Sequence, residues 1–166
     1  MEPYKLRRWR CGSSPEPVPF FTCARPGRSK GNQGAVPDPL VDKWVHGLPG
    51  GTATSVVSLL GRKPDGVSEF SFYSFCGGFE DSAERGGRPS FQHWLEQRHP
   101  ERGLQVIEHP TIDFKPVTHQ ILVAVARDID GLLSAGRTVV LMDSGGETRT
   151  RQVCKHAGLV EDPRTL

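Results

Sequence analysis

The stretch Thr138 to Thr150 reads T-V-V-L-M-D-S-G-G-E-T-R-T, and its residue types suit the holding of an oxyanion. An apolar, β-branched run stops in a small loop. Gly145 and Gly146 let backbone amides turn inward without Cβ clashes. Arg149, followed by Thr150, opens a helical segment. A guanidinium there offers a planar, two-pronged clamp, and the amino end of the helix adds partial positive charge. Each element alone has an ordinary reading: a Gly-Gly pair makes a turn, and an arginine at a helix start is commonly solvated. Their combination at this spacing points to an anion cradle lined by Ser144, Gly145, Gly146, Glu147, Thr148 and Arg149.

Asp143, at the base of that loop, sets a conflict. Its carboxylate competes with any bound anion for the same amides, and two like charges about 4 Å apart repel by about 4 kcal/mol at an intermediate dielectric. Glu147 adds to the repulsion if it points inward. The expected outcome is a filled cradle, with Arg149 paired internally to Asp143 or Glu147.

The elements that must position this loop follow from periodicity. Tyr4–Arg10 and Pro19–Cys23 read as short strands around a Pro/Ser/Glu turn. Gly27–Pro39 is a polar surface loop, after which Asp38 caps a helix with Leu40, Val41, Trp44, Val45 and Leu48 on one face. Thr54–Leu60 reads as a buried strand. Ser68–Phe75 alternates Phe70, Phe72 and Phe75 imperfectly and fits strand or helix. Gly77–Gly87, with Glu80, Asp81 and Glu84, is an acidic loop, and Ser90 caps a short helix carrying Phe91, Trp94 and Leu95. Leu104–Glu108 is a strand. The helix Val117–Ser134 carries Ile121, Leu122, Val125, Ile129, Leu132 and Leu133 as one stripe and is closed by Gly136. A strand Thr138–Met142 and a helix from about Arg149 to His156 complete the order. Strands alternating with helices imply a layered α/β fold with a largely parallel sheet.

Bulk properties narrow the classes. At 166 residues the chain suits a single domain, with residues 1–26 as N-terminal strands, 27–39 as a loop, and 40–166 as a sheet-and-helix body carrying the 143–150 loop. A formal charge of +2 gives no case for nucleic acid. The cluster Lys5, Arg7, Arg8 and Arg10 reads as a solvated strand edge. No apolar run is long enough for a membrane span, and no secretory signal follows the charged start. Cys11, Cys23, Cys76 and Cys154 are scattered, which fits a cytoplasmic, reduced protein. Neither they nor the histidines show ligand spacing, so no metal is expected. His109, His119 and Arg25 are weighed as pocket neighbours, with surface roles the simpler reading for each; Trp44 and Trp94 read as core.

The loop resembles the signature of the cysteine-dependent protein tyrosine and dual-specificity phosphatases, H-C-x-x-G-x-x-R-[ST]. Gly146, Arg149 and Thr150 fall in register, Asp143 stands in place of the nucleophilic cysteine, and Met142 in place of the histidine before it. Glu147 and Thr148 occupy positions where glycine is common. Upstream, H-P-T-I-D-F-K-P-V-T resembles the general-acid loop of the dual-specificity branch, and 30 residues separate Asp113 from Asp143. The segment F-F-T-C-A-R-P-G and the strand after it resemble the front half of these proteins. The resemblance implies a three-layer α/β fold, with a central, mostly parallel sheet of about five strands flanked by helices. It implies Arg149 as phosphate clamp, Thr150 as the hydroxyl assisting the leaving group, Asp113 as general acid, and no cofactor.

Asp143 decides the functional expectation. Cysteine chemistry needs a polarizable thiolate that attacks phosphorus and leaves again. A carboxylate nucleophile requires magnesium and a second carboxylate close by, and no D-x-D arrangement is present. A phosphatase-like protein that is catalytically impaired is the first reading. An active phosphomonoesterase, with Asp143 an engineered or unusual nucleophile replacement, is the alternative. A non-enzymatic interaction domain using the Gly27–Pro39 and Gly77–Gly87 loops is a third. The partners implied are a phosphorylated ligand or a protein, without nucleic acid or membrane.

Overall fold

The computed structural model describes residues 2–31, 34–78 and 85–163. The acidic segment with Glu80, Asp81 and Glu84 lies outside the described residues.

One six-stranded sheet is built from β1 (Arg7–Cys11), β2 (Pro17–Ala24), β3 (Thr54–Ser58), β4 (Gln105–Glu108), β5 (Thr138–Asp143) and β6 (Leu159–Glu161), in the spatial order β4-β3-β5-β2-β1-β6. The pairings β4–β3, β3–β5 and β5–β2 are parallel, while β2–β1 and β1–β6 are antiparallel. The helices are α1 (Asp38–His46), α2 (Phe91–Arg98), α3 (His119–Ser134) and α4 (Thr148–His156). The chain is thus mixed α/β with a mostly parallel central sheet, as its pattern predicts. The sheet has six strands instead of about five, because the short run Leu159–Glu161 after Gly158 pairs with β1.

Burial on both faces explains the composition of the central strands. Every residue of β3 is buried, and so is β5 from Val139 onward. Side chains alternate across a strand. Val140 and Met142 therefore join Val41, Trp44, Val45 and Leu95 of α1 and α2 on one side. Val139 and Leu141 pack with Val125, Ile129, Val153 and Cys154 of α3 and α4 on the other. The result is three layers, helix on sheet on helix.

Several boundaries differ from the sequence reading for local reasons. β1 starts at Arg7, after Lys5 takes a left-handed backbone with φ 62°. It is an interior strand between β2 and β6, so its basic cluster does not line a sheet edge. β2 begins at Pro17, and its prolines precede the ladder with β5, which starts at Phe20. Asp38 lies within the first turn of α1, where its charge suits the helix end, but the N-cap is Pro37 without a side-chain bond. The ambiguous segment Ser68–Phe75 contains a 3-10 helix, Glu69–Phe72, whose start is capped when the Ser68 hydroxyl accepts from the Phe70 amide. Ser90 caps α2 and Thr118 caps α3 through their hydroxyls. Trp44 is core, whereas Trp94 is half-buried and stacks on Phe75 at 4.0 Å.

Candidate functional site

Parallel strands deliver their loops to the carboxyl end of the sheet, where α/β proteins place ligand sites. Residues 143–150 leave β5 there and enter α4. Gly146 takes φ 76°, and a Cβ at that position would lie 2.5 Å from the Ala24 amide nitrogen, so the loop is pressed against the end of β2. Gly145 has open space around it and carries no such demand.

The loop amides converge on Asp143. Its Oδ1 accepts from the Gly146 amide, and its Oδ2 accepts from the amides of Arg149 at 2.9 Å and Thr150 at 3.0 Å. Two of these donors belong to the first turn of α4, whose N-cap Glu147 offers no side-chain bond. Asp143, 2 % exposed, therefore satisfies orphan amides of the helix end with its own carboxylate.

Arg149 departs from its expected internal pairing with Asp143 or Glu147. Its guanidinium is clamped by Glu69, with Nη1 to Oε1 at 2.6 Å and Nη2 to Oε2 at 2.8 Å. Nη1 also donates to the Thr111 hydroxyl at 3.0 Å and the Leu59 carbonyl at 3.3 Å, and Nη2 lies 3.2 Å from Asp113 Oδ1. Burial opposes the positive charge, but the carboxylates of Glu69, Asp143 and Asp113 outweigh it and hold the guanidinium above its ordinary pKa. Glu69 itself is fully buried and accepts from the Gly61 amide at 2.9 Å. A bidentate buried pair of this kind fixes orientation as well as charge.

Asp113 reaches the site because its loop is zipped to the chain after β3. Thr111 Oγ1 donates to Leu59 O at 2.5 Å, Arg62 N to Thr111 O at 3.1 Å, and Asp113 N to Arg62 O at 2.9 Å. The approach is so close that a Cβ on Gly61 would meet the Thr111 oxygen at 2.0 Å. Thr150 is buried against Asp143, and its Oγ1 has no hydrogen-bond partner among the described residues.

Glu147 turns away from the cradle. Lys5 Nζ approaches its Oε1 at 2.8 Å and Arg7 Nη2 at 3.0 Å, while Arg7 Nη1 donates to the Gly146 carbonyl at 3.1 Å. These bonds hold the Glu147 carboxyl below its ordinary pKa against a small opposing effect of burial. Part of the N-terminal basic cluster thus ties down the loop, which corrects its reading as a solvated edge. Ser144 contributes its carbonyl, accepting from the Arg25 amide at 3.3 Å, and Thr148 opens α4.

Other sequence candidates resolve differently. His109 pairs with Asp128 of α3 at 2.5 Å, and the His119 ring packs edge-on against His156 at 5.6 Å. Arg25 is not exposed: it is buried, with its guanidinium 3.7 Å from the centre of the Phe72 ring. Cys154 is buried and its thiol is pushed up to about 12, chiefly by burial; burial also raises Cys23, with Asp143 adding to the effect. Neither is a thiolate nucleophile at neutral pH. Glu69 and Thr111 escaped the sequence reading. The one available signal was a lone carboxylate among Phe70, Phe72 and Phe75, where alternation failed.

No family model matches the chain, and no curated protein matches it. Among solved structures, a crystal structure of a mutant form of Tk-PTP is similar, with 15% sequence identity and a TM-score of 0.46 over 84% of this chain and 68% of that one. No helix among the described residues is long and apolar enough to cross a membrane.

Proposed function

We propose that this chain is a phosphatase-like protein of the cysteine-dependent type that is catalytically impaired, with Asp143 in the nucleophile position acting as a built-in anion. The observation that carries the reading is the three-amide capture of the Asp143 carboxylate. Charge balance supports it. Asp143, Glu69 and Asp113 surround the single guanidinium of Arg149, so a phosphate dianion would enter a centre already negative. At about 4 Å each added like-charge pair costs about 4 kcal/mol at an effective dielectric of about 20.

Asp113 keeps the position of a general acid without a nucleophile to serve, and the remaining role is recognition of a phosphorylated ligand or a protein partner. Four free cysteines, three of them buried, support a reducing cytoplasmic setting. The test is an Asp143→Cys variant assayed on an aryl phosphate. Turnover that appears with the cysteine and falls by about 10²–10⁴-fold on adding Asp113→Asn supports the reading. Turnover by the unaltered chain, lost when Asp143 is replaced, overturns it, as does an Asp143→Cys protein that folds but remains inert.

A further inference from the structure

At the other end of the sheet, α1 finishes at His46 and α2 gives way to the segment His99-Pro100-Glu101. His46 lies 53 residues before His99 in the sequence, which is why spacing shows no ligand motif. Arg102 brings their backbones together by donating to the carbonyls of Val45, Gly51 at 2.9 Å and Leu48 at 3.3 Å. One ligand atom each from His46, His99 and Glu101 then lies within 4.8 Å of the other two.

His99 is buried and faces a carboxylate on both sides. Nε2 is 2.8 Å from Asp42 Oδ1, and Nδ1 is 3.2 Å from Glu101 Oε1. In the tautomer that donates to Asp42, the Nδ1 lone pair meets the Glu101 oxygen acceptor to acceptor. An imidazolium would donate to both carboxylates, and in the neutral ring a metal cation bound at Nδ1 takes the place of that second proton. The 3.2 Å between Nδ1 and Oε1 is close to the separation of about 3.3 Å between two ligands bound at about 2.0–2.1 Å in a tetrahedron, and the exposed His46, within 4.8 Å, closes the set by a side-chain rotation. The second imidazole, His46, lies edge-on with its ring centre 5.2 Å from that of His99.

Asp42 supplies the outer support such sites use, a carboxylate that holds the ring N–H of a ligating histidine. Arg98 fixes that carboxylate with two bonds of 3.2 Å. We propose that His46, His99 and Glu101 form a binding site for a divalent metal of the zinc class, with Asp42 orienting His99. Two imidazoles and one carboxylate are a donor set that zinc uses and shares with iron(II), and three protein ligands leave a fourth position to water or to a donor from another molecule.

Zinc is titrated into the full chain against a chromophoric chelator, and cobalt is followed by its visible absorption. The expected result is one equivalent bound at micromolar or lower free zinc, with tetrahedral cobalt bands. Asp42→Asn weakens binding about 10–100-fold, and His46→Ala, at an exposed helix end, weakens it at least as much while keeping the fold. No binding at sub-millimolar zinc overturns the site. Binding unchanged in His46→Ala and in Glu101→Gln places the metal elsewhere on the chain and overturns it equally.

Discussion

Asp143 and Arg149 stand six positions apart, both buried, yet they are satisfied by opposite means. Asp143 takes its partners from backbone amides three, six and seven residues along the chain. Arg149 takes its own from side chains and a carbonyl 38, 80 and 90 residues away. One charge is held by local loop geometry, the other by tertiary packing. The pairing of roles is therefore fixed separately: the loop neutralises its own anion, and the guanidinium is handed to Glu69.

This contrast predicts the largest loss at the packed side. Arg149→Met leaves Glu69 buried without its partner and should cost about 3–5 kcal/mol in urea denaturation. Adding Glu69→Leu should recover much of that loss, since removing both charges of a buried pair is far milder than removing one. A double variant no more stable than the single would break the pairing assigned here.

Within the loop, Gly146→Ala should cost about 3 kcal/mol, from the left-handed backbone and the clash with Ala24, whereas Gly145→Ala changes stability by less than about 0.5 kcal/mol. Equal costs at the two glycines would show that the loop is not pressed against β2. Asp143→Ala should cost about 2 kcal/mol for the stranded amides, moderated because one carboxylate near Glu69 and Asp113 is gone. Added phosphate should recover this loss, and should not recover that of Arg149→Met.

The smallest effect concerns Glu147. Lys5 and Arg7 hold its folded pKa below the ordinary 4.5, so its contribution is complete above about pH 4.5 and disappears as pH falls through the lower folded value. It is half exposed, which limits the contribution to below about 1 kcal/mol. Comparing urea midpoints of the native chain and Glu147→Gln should show a gap at neutral pH that closes in acid; a gap that widens in acid contradicts the pairing.

The same contrast explains what the sequence made legible. The strand read as Thr138–Met142, which extends to Asp143, the loop after it and α4 are written in contiguous residues, as are the stripe of α3 and the cap Ser90; the Thr118 cap, one residue inside the expected helix start, went unread. Repulsion between Asp143 and an incoming anion followed from residue type alone. The partner of Arg149 did not, because Glu69 is set by the packing of a 3-10 turn beneath Gly61, and no local pattern encodes that approach. Lys5 and Arg7 were legible as charges but not as anchors of Glu147, since β1 becomes an interior strand only once β6 pairs with it. β6 is three residues long and lacks a periodic signal.

Calorimetric titration of inorganic phosphate into the native chain and into Asp143→Ala tests the filled cradle most directly. The native chain should show no submillimolar binding, and the variant should bind at least about tenfold more tightly, a difference of about 1.4 kcal/mol or more. Submillimolar phosphate binding by the native chain, or a folded Asp143→Ala variant that gains none, would contradict the assignment of Asp143 as the resident anion.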